Sequence, residues 1–272
     1  MEILNQLPFK KYSALSDFLA FLGIYDDTVR RRVWKDLIMR HERAIRDRVV
    51  VEVGAGFGEF SRLAAEMGAR RVYAIERNPY AYEILRRRLK GYKNVKVIKA
   101  DALKFVPDED VDVLIHDFYG PLLYDESLYV LDHLPYRPRT VLPNGGRLKV
   151  AAVNLDSLDD PVVDGDILEV LRGVIVADLF PVEDPPPADG ERVVAEWRYG
   201  RGLKLEESVD VGEMVGDLLM FYLEITHNGR VLCDSFECTN WSLGWTPRSG
   251  DVFEMRFRWD GEFTRVHFRW KV

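Results

Sequence analysis

The sequence is poor in glutamine, with Gln6 alone, and poor in cysteine, with only Cys233 and Cys238 among 272 residues. A single pair of cysteines with no second pair cannot complete a four-ligand zinc site and gives no disulfide framework. Both read as reduced, partly buried thiols of a cytoplasmic protein. No apolar run approaches the ~18 residues that a membrane span needs, and the opening Met1-Glu2-Ile3-Leu4-Asn5 lacks the basic-then-apolar pattern of a secretory signal. Positive charge is in deficit as well, with 38 Lys and Arg against 45 Asp and Glu and a net charge of −7. Tracking along nucleic-acid phosphates draws mainly on positive charge, so a nucleic-acid partner is not favoured. The tight basic clusters Arg30-Arg31-Arg32 and Arg86-Arg87-Arg88 fall in helical segments flanked by acids and read as solvated faces. An acidic protein attracts cationic partners instead, arginine-rich peptides among them. One glutamine amid 31% charged residues is a thermophile-like balance.

What is present supports a sizeable core: 47% of residues are hydrophobic, enough for one large domain or two modest ones. The apolar run Val49-Val50-Val51 leads into Glu52-x-Gly54-x-Gly56-x-Gly58, a buried strand running into a glycine-rich turn and a helix starting near Gly58. Such a turn lets a nucleotide-like ligand lie on bare backbone beside a helix N-terminus. The next strand, 71–75, ends in Glu76, placed to accept hydrogen bonds from both ribose hydroxyls. A nicotinamide dinucleotide or S-adenosylmethionine fits this pairing, and alternating rather than Gly-x-Gly-x-x-Gly glycines disfavour the first.

Helices are expected over 13–22, 27–46 (with Asp26 and Asp27 as caps), 58–67 and from about 79, where Pro79 suits a first turn. Strands are expected over 94–99 and 111–115. Alternating strands and helices indicate a doubly wound, Rossmann-like α/β domain over 1–146. Beyond Pro143-Asn144-Gly145-Gly146 the pattern becomes period-two, as in Phe253, Met255, Phe257 and Trp259. This marks a mostly antiparallel β-barrel or sandwich domain over 147–272, with Pro185-Pro186-Pro187 as an internal loop. After the fourth strand comes His116-Asp117-Phe118-Tyr119-Gly120, continuing to Asp125-Glu126-Ser127. In a doubly wound sheet this loop faces whatever binds the glycine turn. Asp117 and Glu126 converging there would suit a guanidinium, whose planar fork accepts bidentate partners; the plain alternative is a pair of ordinary loop and helix-cap acids.

On these residues the chain resembles the protein arginine methyltransferase family over nearly its whole length. The family's S-adenosylmethionine motif is similar to Val53-Gly54-Ala55-Gly56-Phe57-Gly58, its acidic strand end to Glu76, and its double-acid loop to Asp117 and Glu126 around an aromatic-x-Gly. Leu22-Gly23-Ile24-Tyr25-Asp26-Asp27 resembles the family's helix entry, and Cys238-Thr239-Asn240-Trp241 its Thr-His-Trp loop. The resemblance implies S-adenosylmethionine bound by Glu52, Gly54, Ala55, Gly56, Gly58, Glu76, Arg77, Asp101, Ala102 and Asp117. It implies methyl transfer to arginine held by Asp117 and Glu126 and walled by Asn240 and Trp241, with no metal. Departures are plain. Asp117 stands where the family has Glu, Asn240 where it has His, and Trp34 where an arginine meets the cofactor carboxylate, with Arg30 one turn away. The aromatic motif that folds over the cofactor is reduced to Leu15 and Leu19, and the helical arm that makes family members dimers is shortened, so a homodimer stays open. Alternatives remain a methyltransferase for another amine, on a small molecule or nucleobase, and a non-catalytic cofactor-binding partner.

Overall fold

The computed structural model describes residues 7–158, 160–180, 184–238, 240–260 and 264–271. Thr239 of the Thr-x-Trp loop, Gln6 and the opening residues of the chain therefore lie outside the described residues. The chain divides into two compact units: Met1–Asp117 with His133–Asn144, and Phe118–Asp132 with Gly145–Val272.

The first unit opens with helices α1 (Phe9–Asp26), α2 (Thr28–Arg40) and α3 (Glu42–Ile45), followed by β1 (Val49–Val53), α4 (Glu59–Glu66), β2 (Arg71–Glu76), α5 (Pro79–Arg88), β3 (Val95–Lys99), β4 (Val113–Ile115) and β5 (Thr140–Leu142). Local signals set these boundaries. Asp27 caps α2 by accepting from the Arg30 N–H at 2.8 Å, and Asn78 caps α5 with Pro79 at its first turn. The expected single helix over 27–46 breaks at His41, and the expected helix over 13–22 runs longer, over Phe9–Asp26. Every residue of β1 is buried, as a central strand covered on both faces demands. The sheet is parallel in the order β3-β2-β1-β4-β5, so its direction of winding reverses between β1 and β4. Register pairs Val53 with Ile75 and Glu52 with Ile115, so Gly54, Glu76 and His116 all emerge at the carboxyl end of the sheet.

The second unit carries β6 (Gly145–Val153), α6 (Gly165–Val170), β7 (Val176–Ala177), β8 (Ala188–Arg198), β9 (Gly202–Leu205), β10 (Val209–Asp210), β11 (Leu218–His227), β12 (Arg230–Asp234), β13 (Gly244–Pro247), β14 (Val252–Trp259) and β15 (Thr264–Trp270). It is the mostly antiparallel β-barrel domain, built from a seven-stranded sheet around β11 and β6 and a three-stranded sheet β10-β14-β15. Its core gathers Leu218, Met220, Phe180 and Trp245, with Trp245 fully buried. Each such side chain contributes roughly 1.5–3 kcal/mol by leaving water. Strand β8, eleven residues long, escapes the period-two reading because its first six residues are all exposed. The expected loop at Pro185-Pro186-Pro187 immediately precedes it.

Candidate functional site

In the first unit the glycine turn is built by backbone that only glycine adopts readily. Gly54, Gly56 and Gly58 have φ of 66°, 52° and 79°. A Cβ on Gly56 would lie 2.7 Å from Phe21 Cζ and 2.8 Å from the Tyr25 hydroxyl, so a side chain there is excluded twice over. The Gly56 N–H donates to Glu76 Oε2 at 2.9 Å and the Asn78 N–H to Glu76 Oε1 at 2.6 Å. Glu76 is thus fixed at the end of β2, buried, with one oxygen on the glycine turn and the other on the start of α5. Burial raises its pKa, opposed by the N–H groups of Asn78, Gly56 and Arg77. Ala55 is buried beside Ile75, to whose carbonyl its N–H donates at 2.9 Å. Asp101, just past β3, spends one oxygen capping the turn at Leu103 N–H (3.0 Å), with buried Ala102 next to it, while the Arg77 side chain is exposed.

Glu52 is enclosed, 3% exposed, and accepts the hydroxyl of Ser61. Burial pushes its pKa up to about 8, with Ser61 opposing. A carboxyl raised above its unfolded value contributes stability in its neutral form, present at low pH and lost as pH rises toward 8. A cationic ligand beside it favours the carboxylate and expels the proton. Binding of such a ligand near neutral pH is therefore expected to release up to one proton, absent in Glu52→Gln and absent above about pH 8. Calorimetry in buffers of different ionisation enthalpy measures this, and buffer-independent heats in the wild-type protein would remove Glu52 from the site.

The N-terminal cover of this turn is a feature the sequence reading missed. Leu19 is half exposed, and neither it nor Leu15 supplies the aromatic cover. Phe18 and Phe21 instead lie 6.0 Å from the Phe57 ring, and Tyr25 stacks on it at 4.3 Å. The Phe57 N–H donates to the Tyr25 hydroxyl at 2.7 Å. The Asn78 amide holds the helix by donating to Ala14 O at 2.8 Å. The i, i+3, i+7 spacing of Phe18, Phe21 and Tyr25 is the signal that would have revealed one aromatic helix face.

Arg30 and Asp117 form a bidentate pair. Arg30 Nη2 donates to Oδ1 at 2.6 Å and Nε to Oδ2 at 2.9 Å, and Arg30 is 2% exposed. Burial raises the Asp117 pKa, Arg30 opposes it and Asp27 adds to it. Trp34 fills the core at 0% exposure, and its indole N–H holds His116 O at 2.7 Å. His116 in turn sits 2.8 Å from Pro143 O, and burial drives its pKa down to about 3, leaving it neutral. Position 34 thus serves packing, and the guanidinium that meets Asp117 is that of Arg30.

The second unit contains Glu126, Asn240 and Trp241. Segment Phe118–Asp132 is a tight excursion bridged between Gly120 and Leu123. A Cβ on Gly120 would overlap Asp125 Oδ1 and lie 2.7 Å from Glu126 Cγ, so the excursion closes only on glycine. The excursion is clamped to the barrel. The Tyr119 hydroxyl donates to Gly145 O at 3.0 Å, the buried Trp241 indole donates to Tyr119 O at 3.0 Å, and the Trp197 indole reaches Asp132 at 3.1 Å. Tyr129 stacks on Trp259 at 5.0 Å. Trp241 therefore locks the excursion from beneath, while Glu126 is exposed and Asn240 half-buried beside it in the chain. Sequence reasoning passed over Asp125. It accepts from the Leu122 N–H at 3.0 Å, and burial raises its pKa to about 6 against that bond. Among the described residues no His, Cys, Asp and Glu cluster could hold a metal ion, and no helix is long and apolar enough to cross a membrane.

Comparison with known proteins follows the same geometry. The chain aligns over 93% of its length with a Trypanosoma brucei PRMT1 enzyme-prozyme heterotetrameric complex with AdoHcy, covering 93% of that chain at TM-score 0.69 and 17% identity. Arabidopsis thaliana protein arginine methyltransferase 10, in an open conformation, gives TM-score 0.64 at 15% identity, with 90% and 96% of the two chains covered. The chain has the protein arginine methyltransferase fold. In sequence it is 28% identical to Danio rerio protein arginine N-methyltransferase 6 over 182 residues, 64% of this chain and 51% of the relative. It is 30% identical to protein arginine N-methyltransferase 1 of Oryza sativa subsp. indica over 174 residues, 60% of this chain and 44% of the relative. The chain thus spans about half the length of these relatives. Residues 25–142 match the ribosomal RNA adenine dimethylase family model.

Proposed function

We propose that the protein is an S-adenosylmethionine-dependent methyltransferase that methylates arginine side chains of protein or peptide substrates. The observation that carries this reading is the Glu76 carboxylate, held by the Gly56 and Asn78 amides at the mouth of the glycine turn. The double-acid excursion of the chain and its arginine-methyltransferase fold support the same reading. In the proposed assignment Glu76 takes the ribose. The turn at Gly54, Ala55, Gly56 and Gly58 and the neighbouring Glu52 bracket the methionine part. Asp101, Ala102 and the Arg77 backbone flank the adenine. These donors fit the group: a buried carboxylate with spare lone pairs, a side-chain-free turn, and a neutral Glu52 able to ionise beside a cation. Bound there, S-adenosylmethionine supplies a methyl group already activated by its sulfonium.

The protein's own work is alignment and charge placement. An arginine guanidinium is always protonated and its charge is delocalised, which makes its nitrogens poor nucleophiles. Glu126 would accept hydrogen bonds from two of its nitrogens, localise charge on those it touches and leave a third directed at the methyl group. Asp117 already holds one guanidinium, that of Arg30. Its contribution is therefore to orient Arg30 toward the cofactor carboxylate, the role that the arginine missing at position 34 would have played. Asn240 and Trp241 complete the substrate side, Trp241 by fixing the excursion. We place the cofactor-binding work in residues 1–146, and in 147–272 the part of the substrate side that Asn240 and Trp241 supply. We also place the protein in the cytoplasm, with a homodimer open given the short segment between β6 and β11. The thermophile-like composition belongs to the same proposal.

Glu76→Ala is expected to weaken S-adenosylmethionine binding by about 1–3 kcal/mol through the lost charge-assisted hydrogen bonds. Calorimetry measures it, and an unchanged affinity would end the ribose assignment. A second reading, methylation of a nucleobase amine, draws on the match of residues 25–142 to the rRNA adenine dimethylase model. The net charge of −7 weighs against it.

A further inference from the structure

Within the second unit, the outer face of β14 and β15 runs against the charge of the whole protein. The chain carries −7, yet Arg256, Arg258, Arg265, His267, Arg269 and Lys271 are all exposed on these two strands. Register sets Glu254 opposite Arg269, Arg256 opposite His267 and Arg258 opposite Arg265, so the cations share one face while Phe253, Met255 and Phe268 take the other. Glu254 is the one acid at their centre, 2.6 Å from Arg269, 3.1 Å from Lys271 and 3.6 Å from Arg256. Arg258 has no acidic partner among the described residues. Asp260 pairs with Arg265 at the far end of the strands, at 3.0 Å, so two carboxylates face six basic side chains, and a groove of about 630 Å3 opens beside them. Arg256, Arg258 and Arg269 line the groove, with Val174, Ile175 and Phe268 as its apolar wall.

The same groove runs along a sheet edge. Among the described residues β15 pairs with β14 alone. The Lys271 N–H donates to Val252 O at 2.8 Å, which fixes the phase of the ladder. Glu254–Arg269, Arg256–His267 and Arg258–Arg265 are then the hydrogen-bonded pairs, and the N–H and C=O groups of Val266 and Phe268 point to the open edge. An unpaired strand of this kind is a template for an added strand, with main-chain bonds for affinity and alternate side chains for selectivity. Nucleic acid fits less well, because bases need exposed aromatic platforms. Phe268 is packed among Phe221, Phe253 and Trp270, and the Trp259 ring is stacked on Tyr129.

We infer that this groove docks an extended acidic segment of a partner polypeptide, which adds to the β15 edge with its carboxylates on Arg256, Arg258 and Arg269. The ligand is of opposite charge to the cationic arginine of the proposed methylation site. The inference stands independently of methyl transfer and is tested without cofactor.

The probe is a fluorescein-labelled peptide of about ten residues alternating Glu or Asp with Val or Ile, long enough to cover the seven residues of β15. Fluorescence polarisation should show saturable, salt-sensitive binding. The exposed double charge reversal R256E/R258E, with its fold checked by circular dichroism, should weaken binding at least about tenfold. N-methylation of alternate peptide amides should weaken it comparably, because the added strand loses its main-chain bonds. The inference is overturned by absence of saturable binding at low salt, or by affinity indifferent to the charge reversal or to N-methylation. It is equally overturned if a single-stranded oligonucleotide binds where the peptide does not. The arginines would then only guard the edge against pairing.

Discussion

Glu126→Gln is expected to leave S-adenosylmethionine affinity unchanged within about twofold while lowering methyl transfer at least about a hundredfold. The substitution keeps the shape of the side chain but replaces a charged acceptor by an amide with one donor and one acceptor edge. A guanidinium offers only donors, so one of its N–H groups then faces the amide NH2, and the charge that concentrates positive character on the held nitrogens is gone. The side chain is exposed and Gln matches its length, so the fold is expected to hold, which circular dichroism checks. Gly54, Gly56 and Glu76, to which cofactor binding is assigned in the proposal, belong to the other compact unit, which is why affinity is expected to survive. Calorimetry paired with methyl incorporation into an arginine peptide separates the two effects, and turnover retained at the wild-type rate would remove Glu126 from its role.

Arg30→Met carries the largest expected stability effect. Arg30 is 2% exposed, and the two shortest of its hydrogen bonds to Asp117 measure 2.9 and 2.6 Å. Removing the guanidinium leaves a mostly buried carboxylate with its charge uncompensated, which costs about 3–5 kcal/mol. Asp117 then answers by protonating, since burial already raises its pKa and Arg30 is the group opposing that rise. The loss should therefore shrink as pH falls and largely disappear in Arg30→Met combined with Asp117→Asn, which removes the stranded charge. Urea unfolding midpoints at several pH values, with unchanged slopes, check both parts. A single variant as stable as wild type would show that the pair is not a structural anchor.

Much of the first unit was legible because its signals are local. The all-apolar run before Gly54, the three glycines and the acid ending β2 each report a backbone requirement within a few residues. The register that brings Gly54 and Glu76 together at the carboxyl end of the sheet follows from parallel pairing. What stayed hidden depends on long-range partners. The sequence showed Trp34 in an arginine's place and Arg30 one turn away, but not that Trp34 holds His116 O or that Arg30 pairs with Asp117, distant in sequence. The aromatic cover was sought at Leu15 and Leu19, but helix phase puts Phe18, Phe21 and Tyr25 on the glycine turn. The double-acid excursion was read as a loop of the α/β part, yet Tyr119, Trp197 and Trp241 clamp its chain to the barrel unit. Those are hydrogen bonds between residues far apart in sequence, and no periodicity announces them. Strand β8 was missed for a different reason, since its exposed polar first half lacks alternation.

Arginine methylation is tested most directly by incubating the protein with S-adenosylmethionine and an arginine-containing peptide, then locating the added methyl groups by tandem mass spectrometry. The account predicts methyl groups on guanidinium nitrogens, lost when Glu126 becomes Gln. Methyl groups found only on another amine, or on no acceptor while the cofactor still binds, would contradict it.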